Sequence, residues 1–174
     1  MVKNLFSKSS KYLFLIILTV AFLLRFYQLG QNPTSLTWDE ASWGYNAYSL
    51  GIDGKDEFGR FLPYDYLESF GDFKPPVYAY LAVIPVKLFG LNEFATRFPS
   101  AFFGFLTVLV TYFLVKRIFG VGKLQTGSEK NSHSSFQNSA SSIALLTAFL
   151  LAISPWHINL SRAAFEANIA TFFL

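Results

Sequence analysis

The sequence predicts an all-α polytopic membrane protein, and three observations carry that prediction. The composition is 52% hydrophobic and 19% aromatic with only 14% charged residues, at a mean hydropathy of +0.36. Soluble domains carry about 25% charged residues. Apolar runs close to the roughly 20 residues that cross a bilayer recur along the chain. The charges are also segregated, with Lys and Arg beside some runs and acids gathered between others. Several function classes drop out at once. With no Cys there are no disulfides or thiolate metal sites, and two His leave little for zinc. Gly-rich nucleotide signatures are missing and nothing marks a nucleic-acid partner. A divalent metal is possible, but the sequence offers no ligand set for it.

Tyr12–Leu29 reads as the first span, preceded by Lys3, Lys8 and Lys11, which place the N-terminus in the cytoplasm. No A-x-A-like cleavage site follows, so it reads as an uncleaved signal anchor. Arg25, one turn from its end, is expected to snorkel to the headgroups. Residues 30–97 form an outer loop with nine acids against five bases, a net charge of −4. Within it Thr37-x-x-Glu40 is a capping box opening a helix through Tyr48, and Gly51–Gly59 is a polar turn. Pro75–Gly90 is apolar but short and Pro-rich, which predicts an interfacial or re-entrant helix.

Residues 98–116 are the second span, closed by Lys116 and Arg117. Residues 117–142 are a cytoplasmic loop, and its Ser/Asn-rich part from Gly120 to Ser142 is of low complexity. Residues 143–160 are a third span, which Pro155 can kink or end. Another apolar run begins at Ala167, and the chain looks cut off within it. Residues 1–174 thus read as part of one transmembrane domain. Since Tyr12–Leu29 runs from inside to outside and the Lys116-Arg117 loop is inside, an odd number of crossings lies between them. Of the two apolar stretches there, Phe98–Val115 is the span and Pro75–Gly90 is not. The third span then returns to the outside, which brings three polar clusters to one water–lipid boundary.

Asp39-Glu40 is the first cluster. Capping explains Glu40 well, whereas Asp39 is only tolerated in a first helical turn. Lys74, after Asp72 and before Pro75-Pro76, is either a helix-start cation or a partner for a lipid phosphate. Arg162 and Glu166 lie four residues apart, on one helix face, and either pair with each other or serve a ligand. Arg97 is a phosphate contact or a helix-start anchor. Trp43, Tyr45 and Tyr48 suit stacking on a sugar or lying against lipid. His157 beside Trp156 reads as part of an interfacial aromatic belt.

The order of these motifs resembles the family 39 glycosyltransferases, which include protein O-mannosyltransferases and lipid A aminoarabinose transferases. The likeness rests on a first span followed by W-D-E-A, K-P-P, L-F-G-L-N-E-F-A-T-R-F-P-S-A-F-F-G, K-R-I-F-G and S-P-W-H-I-N-L-S-R-A-A-F-E. It covers Tyr12 to Leu174 apart from Gly120–Ser142. The resemblance implies a C-class multispanning fold and transfer of a sugar from a polyprenyl-phosphate donor to an acceptor hydroxyl of unknown class. The reaction would lie on the outer face of the cytoplasmic membrane, with membrane lipids as further partners and no nucleotide. The resemblance implies that residues 1–174 are the N-terminal part of a longer enzyme. It puts the catalytic base at Asp39 with Glu40 as its neighbour, a donor contact at Lys74 and a later acid at Glu166 with Arg162 beside it. On charge and position, Arg162 and Arg97 join Lys74 as candidates for the donor phosphate. Glu166, Asp72, Trp43 and Tyr45 are the candidate substrate-binding residues. Phe73 stands where some relatives have an acid directly before the Lys. Two rivals remain at this level. A transporter or other non-catalytic binder of lipid phosphate would carry acids within its spans, and a truncated fragment would be inactive.

Overall fold

The computed structural model describes residues 2–121 and 132–174. It is an all-α membrane protein whose helices are α1 (Val2–Phe26), α2 (Trp38–Asp53), α3 (Val77–Phe89), α4 (Glu93–Val121), α5 (Ser132–Ile153), α6 (Pro155–Arg162) and α7 (Glu166–Phe173). Among the described residues the only strands are β1 (Leu67–Ser69) and β2 (Asp72–Lys74), one antiparallel hairpin. Ser9–Phe26 and Glu93–Phe119 are long and apolar enough to cross a membrane, and α5 with α6 makes a third candidate if the bent pair counts as one span. α3 is apolar but too short, as its length in the sequence predicts.

Several boundaries differ from the sequence reading, each for a local reason. α1 stops at Phe26 because Gln28 takes a left-handed φ of 51° and the chain turns there. Arg25 is enclosed, so the expected snorkelling is not what the structure shows. α4 opens at Glu93, ahead of the apolar run, because the Asn92 side chain caps it by accepting from the backbone N–H of Ala95 at 2.9 Å. The expected loop 117–142 is largely helical: α4 continues to Val121 and α5 starts at Ser132. Its central residues, 122–131, lie outside the described residues. Pro155, which has no N–H to donate, follows the end of α5 at Ile153 and becomes the first residue of α6.

The chain divides into two compact units. One holds the residues up to Leu24 and Phe105–His157. Its core is Ile17, Ala21, Val108, Tyr112, Ala144, Leu145, Ala148 and Ala152. The small alanines let helices approach closely, and the Phe14 and Tyr112 rings stack at 4.0 Å.

The other unit, Arg25–Gly104 and Ile158–Leu174, contains every candidate site residue. Its core gathers Trp43, Ala47, Leu50, Leu67, Tyr78, Ala79, Ala82, Val86, Ala95, Ala164 and Ile169. Here α4 meets α6 and α7 at small polar residues. The Ser100 hydroxyl donates to Leu160 O at 3.0 Å, and Asn168 Nδ2 donates to Ser100 O at 2.8 Å. A Cβ on Gly104 would collide with the Ser161 side chain, so glycine is what permits this approach. The packing holds the Ala163–Phe165 turn beside the start of α2.

Candidate functional site

The site is built outward from Thr37. This residue takes an extended φ, ψ of −73°, 168° and closes the capping box foreseen in the sequence. Glu40 N donates to Thr37 Oγ1 at 3.3 Å, and Thr37 N donates to Glu40 Oε2 at 2.9 Å. Gly54, left-handed at φ 74°, ends the helix. Consecutive helical residues point about 100° apart, so Asp39 and Glu40 enter different surroundings.

Glu40 is 1% exposed and turns inward. Its Oε1 accepts from Arg97 Nε at 2.7 Å and from the Ala164 backbone N–H at 3.1 Å, and Oε2 accepts from Arg97 Nη2 at 3.3 Å. Burial alone would raise this carboxyl. The Arg97 guanidinium and the backbone N–H groups of Thr37 and Ala164 outweigh burial and hold it below the ordinary value. Arg97, equally enclosed, also donates to the carbonyls of Leu29, Pro33 and Ser35. Two expectations are corrected here. Glu40 has no open face for catalysis, and Arg97 has none for a phosphate, because each is consumed in joining α2, α4 and the chain before α7.

Asp39 faces outward and meets the hairpin. Phe70 and Gly71 take φ of 53° and 75°, the two left-handed positions of a tight two-residue turn. Ser69 pairs with Asp72, and Leu67 with Lys74. Side chains alternate along a strand, so Asp72 and Lys74 share a face and Phe73 takes the other. An acid two residues before the Lys therefore reaches it here, where an acid one residue before would not. Lys74 Nζ lies 2.6 Å from Asp39 Oδ1 and 2.6 Å from Asp72 Oδ2. The lysine side chain is 7% exposed, against 49% for Asp39 and 69% for Asp72. Burial would lower the Lys74 ammonium, but hydrogen bonds to the two carboxylates override it and raise it above its usual value. The same Lys74 bond holds the Asp72 carboxyl below the usual range.

The remaining expectations divide. Trp43 is fully buried with its ring 5.4 Å from that of Tyr78, so it offers no sugar a face. Tyr45 is 52% exposed and lines a cleft of about 300 Å³ with Leu36, Gly44, Leu91, Glu93 and Thr96. Asp39, Lys74 and Asp72 do not line it. Arg162 and Glu166 do not share a helix: α6 ends at the first and α7 begins at the second. Neither Gly nor Pro marks that break, which is why spacing alone misplaces them. Arg162 donates to the carbonyls of Tyr27, Gln28 and Asn32 at 2.8, 3.3 and 2.9 Å, which fixes the turn after α1. Glu166 is half-buried in the first turn of α7.

The sequence reading passes over the hairpin and its support. Asn46 Nδ2 donates to Ser69 Oγ at 3.2 Å, its Oδ1 accepts from the Glu57 N–H at 3.1 Å, and the Ser69 hydroxyl donates to Glu57. The signal was Gly71 after an alternating segment, obscured because turns of this type favour Asn or Asp where Phe70 stands.

Residues 73–124 match the family model of the dolichyl-phosphate-mannose-protein mannosyltransferases. The match relates the chain to the glycosyltransferases. It includes Lys74 and Arg97 and leaves out Asp39, Glu40, Arg162 and Glu166. An uncharacterized protein of Aquifex aeolicus (strain VF5) is 31% identical over 163 residues, which are 92% of this chain and 27% of that protein. The chain therefore spans about a quarter of the length of the curated relative it matches. No solved structure matches.

Proposed function

We propose that this chain forms part of a membrane glycosyltransferase of the C-class type. It would move a sugar from a polyprenyl-phosphate donor to an acceptor hydroxyl at the outer face of the cytoplasmic membrane. The observation that carries this reading is the Asp39–Lys74–Asp72 cluster: a nearly buried ammonium with an accessible carboxylate 2.6 Å away. The mannosyltransferase-like segment that supplies Lys74 supports it.

In this reaction the acceptor oxygen attacks the anomeric carbon from the face opposite the phosphate. The bond from that carbon to the phosphate oxygen breaks, and polyprenyl phosphate leaves with the electron pair. Asp39 accepts the acceptor's proton as general base. Lys74 donates hydrogen bonds to the departing phosphate and balances its charge. Glu166 is the second carboxylate available to sugar hydroxyls. Glu40, Arg97 and Arg162 do not touch substrate. They hold the chain that carries Asp39.

The test is transfer from radiolabelled polyprenyl-phosphate sugars by membranes holding the full-length protein. Asp39→Asn is expected to lower transfer by about 10²–10⁴-fold, the usual contribution of a positioned base. Near-wild-type transfer by a normally folded Asp39→Asn protein overturns the assignment.

A further inference from the structure

The cluster as it stands is poorly suited to an anion. Lys74 contributes one positive charge and the two aspartates contribute two negative ones, which leaves the group net negative. A lipid phosphate arriving there would meet repulsion that one ammonium does not cancel. Of the two carboxylates, Asp39 is anchored in the first turn of α2. Asp72 is the more exposed and sits directly after the Phe70-Gly71 turn on a short two-stranded hairpin. Asp72 Oδ2 lies 2.6 Å from Nζ and its side chain is 69% exposed, so moving it aside would leave that ammonium hydrogen bond to an incoming anionic oxygen.

We infer that Asp72 is a resident competitor for the donor phosphate: its carboxylate occupies the phosphate-oxygen position on Lys74 and swings away when the donor binds. The inference rests on the donor reading above and gives Asp72 a different part in it. Asp72 does not hold substrate, as the sequence reading had it, but sets how tightly Lys74 takes an anion. A free Lys74 ammonium next to Asp39 would attract any phosphate. Asp72 raises the threshold, so that a ligand must add contacts of its own to displace it.

The experiment measures binding of farnesyl phosphate to the full-length protein in detergent, with inorganic phosphate and farnesol as controls for the headgroup and the chain. Asp72→Asn keeps the shape and removes the charge, and is expected to tighten farnesyl phosphate by about three- to tenfold, the size of one nearby like charge at a partly exposed site. Asp72→Glu keeps the charge and is expected to bind as the unmodified protein does. Unchanged or weaker binding in Asp72→Asn, with clear binding by the unmodified protein, overturns the competitor role alone. Failure of farnesyl phosphate to bind any of these proteins removes the donor reading and this inference with it.

Discussion

Asp39 and Glu40 are chain neighbours, each 2.7 Å or less from a cation, and they have opposite fates. The Glu40–Arg97 pair is sealed, with side chains 2% and 0% exposed, and apart from the Thr37 cap its hydrogen bonds join one part of the protein to another. The Asp39–Lys74–Asp72 cluster is open on the carboxylate side and closed on the ammonium side. A buried ion pair is weak evidence of net stabilisation, because desolvation offsets its attraction, but breaking one leaves a charge stranded. An open pair contributes little to stability and remains available to a ligand. Adjacent acids thus sort by enclosure into a scaffold and a reactive group.

The contrast breaks most sharply at Arg97. Arg97→Ala strands the Glu40 carboxylate and three carbonyls, and is expected to destabilise the full-length protein by about 3–5 kcal/mol. Thermal unfolding in detergent would show this, and a loss under about 1 kcal/mol would mean the pair is not sealed.

The two clusters also predict opposite limbs of a stability–pH profile. The Glu40 carboxyl is held below its ordinary 4.5, so its contribution is whole above that pH and is lost as pH falls through its lower folded value. Lys74 is held above 10.5, so its contribution is whole below that pH and is lost as pH rises through its higher folded value. Burial would raise the Asp56 carboxyl in the turn after α2, but hydrogen bonds from Arg60 lower it, so Asp56 and Asp72, both depressed, add to the acid limb. An acid limb that survives Asp56→Asn with Asp72→Asn, and an alkaline limb that weakens in Lys74→Met, is the expected outcome.

Thr37→Ala removes the cap from which both acids are hung. It is expected to cost about 1 kcal/mol, and circular dichroism with thermal melting measures it. Asp39→Asn should be the smallest effect on folding, within about 1 kcal/mol because the pair is half-exposed, even as transfer falls. A large loss of stability in that variant would place Asp39 with Glu40 among the scaffold residues.

What the sequence disclosed follows the range of the interaction. The capping box closes within three residues, so Thr37 and Glu40 could be read directly. The candidate spans follow from apolar length, although Asn92 and the helical Ser132–Ser142 stretch shift their ends. Burial is decided by distant parts of the chain. Nothing local to Arg97 or Trp43 announces that Glu40, or Tyr78, will close over it. Four-residue spacing puts Arg162 and Glu166 on one helical face, and the break between them, without Gly or Pro, has no local mark. The partnership of Asp72 with Lys74 becomes visible only once the segment is known to be a strand.

The turn between α1 and α2 is fixed in an unusual way. Six of its carbonyls, from Tyr27, Gln28, Leu29, Asn32, Pro33 and Ser35, are held by two arginines that lie far along the chain. Every residue type offers a carbonyl, so such a turn is indifferent to much of its own spelling. Gln31, Thr34 and Ser35 should accept wide substitution in a saturation screen while Arg97 and Arg162 accept almost none, and drift in this connection would be buffered by residues outside it.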